Sequence, residues 1–449
     1  MTKLNKILIG VALTALLAAG CSLDTPAPMT LDRDPVGAEF FSDYVAIGNS
    51  LTAGFMDGGL VVNGQLNSYP RLLSMAMAGK AYEFVQPRIA FPGVGSSSTG
   101  DPALVAGVIY FDGAGFSIAG PTAIAAVPGL LMDVNHSIPY NNLGVPGALT
   151  WDVDNARDSA SSYTGHNPYF DFILRNPTFG NVVMLDQAIA LGPKIVTCWI
   201  GNNDILGGAT GGEPEVGVNV TRTDAFTAMF EAILDDLTDG VNGRFGYEPA
   251  IFVGNVPSIS SAPYFVPKAL FDEMAGNPIP TVEDAVYVRF PALSYLAAGG
   301  PPPLPVEYTL DADEVAVVNT AVTEFNAAIA DAVAARDNVW LYDANAELAG
   351  LVDTPAASHL LALLAVMDLP TAAATTYFSL DGIHPNNLGY GLVANGFIEV
   401  INTALGTELA PVDIDALTWD PTYGISAKAV ADGSLVSPES ARAMDAVFR

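Results

Sequence analysis

Short apolar runs alternating with stretches of helical periodicity set the layout of the chain. Asp43 to Gly48 (DYVAIG) reads as a short strand ending in a turn, with a helix beginning near Ser50. Residues 60–140 are irregular. Gly/Pro/Ser clusters such as FPGVGSSSTGDP alternate there with apolar runs such as VAGVIYF, a pattern of hairpins or short strands. Order returns at 181–191 (NVVMLDQAIAL), read as a helix that passes through Gly192-Pro193 into a buried strand from Ile195 to Ile200 and then a Gly-Asn-Asn-Asp loop. Residues 224–238 place Phe226, Met229, Phe230, Ile233, Leu234 and Leu237 on one helical face, with Thr223 or Asp224 available as cap. A strand follows at 250–254 (AIFVG). Residues 257–310 are a second irregular insert, Pro-rich, with GGPPPLP near its end. Asp313 to Ala335 carries Val315, Val318, Val322, Phe325, Ile329 and Val333 on one stripe and leads to a strand at Val339 to Tyr342. A loop at 379–388 then precedes a helix from about Tyr390 to Leu405.

Short apolar strands between amphipathic helices predict an α/β class with a parallel sheet covered on both faces. Sites in such sheets lie at the carboxyl ends of the strands. The aromatic residues of the two inserts (Tyr110, Phe111, Phe116; Tyr264, Phe265, Phe271, Phe290, Tyr295) fit either a second small core or a lid and acyl-chain pocket.

Composition narrows the partners. With 17 basic against 48 acidic residues and a net charge of −31, the chain repels phosphate backbones, so nucleic acid is not an expected partner. The acids are scattered, which reads as a solubility feature and not as a docking patch. The two cysteines, Cys21 and Cys198, predict no disulfide framework; Cys198 lies in a buried strand and reads as core packing.

The amino-terminal residues are similar to a bacterial lipoprotein signal. Lys3 and Lys6 are followed by a short apolar run, Ile7 to Leu17, and then Leu17-Ala18-Ala19-Gly20-Cys21. The resemblance implies a signal peptide over 1–20, cleavage before Cys21 and acylation of its thiol with fatty acid such as palmitate. Multiple chains give a stable membrane anchor. Ala18 departs from the usual Leu at that position, and an ordinary signal peptide with an incidental cysteine is the alternative. Ser22, and not Asp, follows the cysteine, which by resemblance to enterobacterial lipoprotein sorting implies the outer membrane, at the periplasm or cell surface. Residues 21–40 read as a polar, Pro-containing tether, and 41–449 as the functional domain, carrying the inserts near 60–140 and 257–310.

Four segments carry candidate chemistry. Gly48-Asn49-Ser50 puts a serine where a strand meets a helix, its hydroxyl exposed and backbone N–H groups nearby, although serine is also a common helix cap. Asn142 to Ala148 contains Gly147, which can present its N–H without obstruction and is otherwise an ordinary Gly/Pro turn. Gly201-Asn202-Asn203-Asp204 places side-chain amides at a strand end, as an oxyanion donor or a turn cap. Asp381-Gly382-Ile383-His384 spaces a carboxylate to hold the imidazole Nδ1 proton and leave Nε2 free to act as base. Among the four histidines (His136, His166, His359, His384), Asp133-x-x-His136 has the same spacing. His384 is preferred because its loop directly precedes a predicted helix, whereas His136 lies in the irregular insert.

In their order along the chain these four segments resemble the blocks of the SGNH (GDSL-type) hydrolases. The resemblance implies a three-layer α/β/α, flavodoxin-like fold with a central parallel sheet of about five strands and large loop and β insertions. It implies a serine esterase or lipase with Ser50 as nucleophile, His384 as base and Asp381 as its orienter. Ser50 N–H, Gly147 N–H and Asn203 would form the oxyanion hole, with no metal or organic cofactor. Asn49 departs from the family, which usually has Asp there. Ser50 to Gly147 and Asn203 to Asp381 are also spaced more widely than in compact members. The expected partner is an ester substrate: a small molecule, lipid or glycan. A carbohydrate deacetylase or acyltransferase at the cell surface, and an inactive surface-binding lipoprotein, are the other readings.

Overall fold

The computed structural model describes residues 43–78, 84–96, 99, 101, 103–112, 116–352 and 376–423. The leader, Cys21 and the tether lie outside the described residues. Four apolar runs become strands of one parallel sheet: β1 (Tyr44–Gly48), β2 (Ile195–Trp199), β3 (Ala250–Gly254) and β4 (Val339–Tyr342), hydrogen-bonded in that order. Every residue of β1, β2 and β3 is buried, as expected of a parallel sheet covered on both faces.

Eight helices matter below: α1 (Ser50–Ala53), α2 (Tyr69–Ala78), α3 (Met184–Ala190), α4 (Asn203–Gly211), α5 (Thr223–Phe245), α6 (Ala312–Ala334), α7 (Ala344–Val352) and α8 (Asn387–Leu405). The two-residue period of the strands sorts them into layers. Val45 and Ile47, Val196 and Cys198, and Ile251 and Val253 face a core shared with α3, α5 and α6. Tyr44 and Ala46, Ile195 and Trp199, and Ala250 and Phe252 face the core built with α2 and α8. The result is the three-layer α/β/α arrangement. α5 and α6 are locked by Phe226 and Phe325, whose rings stack at 3.9 Å and 3°. Cys198 packs in this core, and burial pushes its thiol up to about 12.

Among the described residues four paired strands stand where about five were expected, and irregular chain lies along the open edge of β1. Ala46 N–H donates to Asn141 O (2.8 Å), Leu143 N–H to Ala46 O (2.8 Å) and Val145 N–H to Gly48 O (3.0 Å). Residues 141–145 thus run parallel along the open edge of β1. Leu143 and Val145 supply the N–H groups that meet β1, and the intervening Gly144 N–H is taken by the Asn142 side chain at 3.0 Å.

Other differences have local causes. α2 lies inside the stretch read as irregular. Its Pro70 sits in the first turn, where proline is tolerated, yet in the sequence it reads as punctuation. The Gly-Asn-Asn-Asp loop passes straight into α4. α5 runs on to Phe245 through Gly240 and Gly243, which dilute the apolar pattern. α6 starts with a capping box in which Asp311 accepts from Glu314 N and Glu314 accepts from Asp311 N. Inside the second insert, segments 265–267, 285–289 and 309–311 form a small antiparallel sheet. Among the described residues no helix is long and apolar enough to cross a membrane.

Candidate active site

β1 delivers the chain to the site. At its last residue, Gly48, φ is +153°, and a Cβ would lie 2.3 Å from Trp199 O and 2.4 Å from Thr52 Oγ1, so only glycine fits there. Asn49 follows, fully buried. Its Oδ1 accepts from Leu51 N–H at 3.0 Å and caps α1, and its Nδ2 donates to Asn202 Oδ1 at 2.8 Å. The asparagine therefore keeps the acceptor an aspartate would provide and adds a donor that an ionised aspartate lacks. Ser50 is the first residue of α1, where no intrahelical carbonyl is available to its N–H. Its Oγ lies 2.8 Å from His384 Nε2.

His384 reaches Ser50 because the preceding loop folds on itself. Ser379 N–H donates to His384 O (2.8 Å), Gly382 N–H to Ser379 O (3.0 Å), and Asn386 caps α8 through Leu388 N–H (2.9 Å) and Gly389 N–H (3.1 Å). Asp381 is turned inward, with Oδ2 3.0 Å from His384 Nδ1. The same carboxylate accepts from Ile383 N–H (2.9 Å), His384 N–H (2.8 Å) and Gly58 N–H (2.9 Å). Burial by itself would raise the Asp381 carboxyl. The charge and hydrogen bonds of His384, with the amide donors, outweigh it and hold the group below the ordinary carboxylate value. An ionised acceptor on Nδ1 keeps the proton on that nitrogen, which leaves Nε2 to receive the hydroxyl proton of Ser50. Phe55 packs against the imidazole with ring centres 4.6 Å apart.

The other Asp-x-x-His pair is used differently. Arg88 holds Asp133 through two bonds of 2.7 and 2.8 Å, and the His136 ring stacks on Tyr140. His136 lines neither cavity at Ser50.

The ladder along β1 carries residues 141–145 to Gly147, which is exposed at φ +76° and whose predecessor Pro146 is fixed by Asn167 Nδ2 at 2.8 Å. Asn203 begins α4, and its Nδ2 donates one hydrogen to Ala148 O at 2.9 Å; the amide carries a second. Asp204 ties the same parts together. It accepts from Thr150 N–H (2.9 Å), Thr150 Oγ1 (3.0 Å) and Thr221 Oγ1 (2.9 Å), and burial pushes its carboxyl up to about 6. Ser50, Gly147, Asn203 and His384 all line one cleft of about 810 Å³. The sequence-predicted residues are thus brought together, except Cys21, which lies outside the described residues. Glu283, Asp311 and Glu314 bring carboxylates close to one another, but away from both cavities at Ser50, and two of them form the α6 capping box.

One buried acid at the site was not singled out in the sequence. Asp57 accepts from Leu380 N–H (2.8 Å), Trp419 Nε1–H (3.2 Å) and Tyr423 Oη–H (2.6 Å), while its own N–H donates to Ser379 Oγ at 3.0 Å. It clamps the Asp381 loop to the carboxyl-terminal segment. Burial pushes its carboxyl up to about 7; the hydrogen bonds act against that rise and neighbouring Asp381 adds to it. The available signal was an acid set in Phe55-Met56-Asp57-Gly58-Gly59-Leu60, a lone charge in apolar and glycine surroundings.

Comparison with known families gives one match: the family described as GDSL-like Lipase/Acylhydrolase matches residues 44–397. No curated protein matches.

Proposed function

The chain belongs to the GDSL-like lipase/acylhydrolase family, whose chemistry is hydrolysis of ester bonds, and we propose that it hydrolyses carboxylic esters with Ser50 as nucleophile. The observation that carries this reading is the continuous hydrogen-bonded line from Ser50 Oγ through His384 (2.8 Å) to Asp381 (3.0 Å). Ser50 Oγ attacks the acyl carbon as His384 Nε2 takes its proton. Asp381 stabilises the resulting imidazolium without taking the proton itself. The developing oxyanion is met by the N–H groups of Ser50 and Gly147 and by the Asn203 amide, in directions set before the reaction begins. His384 then protonates the departing alcohol, and a water activated by the same imidazole releases the acid.

Hydrolysis of p-nitrophenyl butyrate by the purified chain tests this. Turnover is expected in the wild type and a loss of at least roughly 10³-fold in Ser50→Ala; equal rates would sink the assignment. For the amino terminus, the Lys3-to-Cys21 pattern supports acylation at Cys21 and an anchored place in the cell envelope, at the outer membrane. Metabolic labelling with an alkynyl palmitate, lost in Cys21→Ala, is the corresponding check.

A further inference from the structure

Two cavities meet at the Ser50–His384 pair, one mainly apolar and one of mixed lining. Ser50, Asn203, Leu206 and His384 line both. The first is narrow, about 100 Å³, and most of its wall is apolar core, with Trp199, Ile205, Val256, Ile259 and Phe265 each buried; Ser258, Ser261 and Glu347 also line it. The second is the open cleft of about 810 Å³ that holds Gly147, and it carries Ser96, Thr99, Asp101, Thr164 and His166. Resting on the Ser50 reading above, we infer that the narrow cavity takes the acyl chain and the open cleft takes the alcohol. The substrate is then an ester of a short apolar acid with a neutral, polyhydroxylated alcohol.

The two half-reactions set the direction. The acyl group stays on Ser50 after the alcohol leaves, so its place needs no solvent. The water that ends the cycle must reach the acyl carbon from the side the alcohol vacated, beside His384 Nε2. The wide cleft offers that approach together with several hydrogen-bonding side chains, and the mainly apolar narrow cavity suits a chain that has none to satisfy. Size then limits the acid. A dry apolar cavity of ~150 Å³ accepts benzene, so one of this volume holds roughly four carbons beyond the carbonyl. Charge limits the alcohol. With a net charge of −31 and Asp101 in the cleft, phosphorylated or sulfated alcohols are repelled and neutral polyols are not.

The experiment compares kcat/KM of the full chain over p-nitrophenyl acetate, butyrate, hexanoate, decanoate and palmitate, and on monobutyrylglycerol and a butyrylated sugar. The rate should climb up to roughly fourfold per methylene from acetate to butyrate, level off by hexanoate, whose chain is longer than the cavity holds, and fall at least tenfold by decanoate. Ile205→Ala should move the maximum to longer acids and Ala262→Leu to shorter ones; the second keeps the test open if the first fails to fold. Asp101→Ala with His166→Ala should lower the rate on both polyol esters several-fold more than on p-nitrophenyl butyrate. Palmitate cleaved as fast as butyrate, or cavity variants that alter alcohol preference instead of acyl preference, would overturn the orientation. Absence of turnover on every ester would remove the Ser50 reading itself, and the inference with it.

Discussion

Asp57 gives the most quantitative expectation, because a buried carboxyl raised to about 7 links proton binding to folding. The perturbation is Asp57→Asn. In the folded chain the group holds its proton up to about 7, against an ordinary value of 3.8. That difference corresponds to on the order of 4 kcal/mol of stability. The folded value is raised, so this stability is fully present below the unfolded value and is lost as pH rises through the folded one. Between pH 5 and pH 8 the part lost is roughly 2–3 kcal/mol, since some has already gone by pH 5. Asparagine does not titrate, so the variant lacks this loss. It keeps an acceptor for Leu380 N–H and lets the Tyr423 hydroxyl turn round to accept, but leaves Trp419 Nε1–H without a partner, a cost of ~1 kcal/mol. Asp57→Asn should therefore be slightly less stable than the wild type at pH 5 and more stable at pH 8. Urea unfolding followed by far-ultraviolet circular dichroism at both pH values measures this, provided the slopes match. Asp204, also raised, titrates in both proteins and cancels in the difference. Parallel stability curves would refute the reasoning.

Three further changes probe the site. Asp381→Asn must set an amide N–H against either His384 Nδ1 and Gly58 N–H or the amides of Ile383 and His384; kcat should fall roughly 10³–10⁴-fold in ester hydrolysis, with the fold retained by circular dichroism. Asn203→Ala removes one oxyanion donor and should lower kcat roughly 10²–10³-fold with little change in KM, as steady-state kinetics would report. Gly147→Ala places a Cβ 3.1 Å from Asn167 Nδ2 at φ +76°, and is expected to reduce kcat about tenfold or more while moving the thermal midpoint only a few degrees.

Much of the layout was legible because it depends on patterns of a few residues. The runs at Tyr44, Ile195, Ala250 and Val339 became the sheet, and the stripes containing Phe226 and Phe325 became its covering helices. Ser50, Gly147, Asn203, Asp381 and His384 were each ambiguous alone; their order made them readable as a set, and the fold brings them to one place. What stayed hidden depends on contacts between distant segments. Asp57 acquires its role from Leu380, Trp419 and Tyr423, far along the chain. The Asn49–Asn202 pair forms only because β1 and β2 are neighbours. Residues 141–145 open on two asparagines and so lack the apolar run of a strand, and α2 was masked by its proline.

Reaction of the folded protein with a fluorophosphonate, followed by intact mass and peptide mapping, is the most direct test of the account. A single adduct on Ser50, with loss of ester hydrolysis in step with labelling and no adduct in His384→Ala, is the predicted result. An unlabelled Ser50 in a protein that still hydrolyses esters would contradict it.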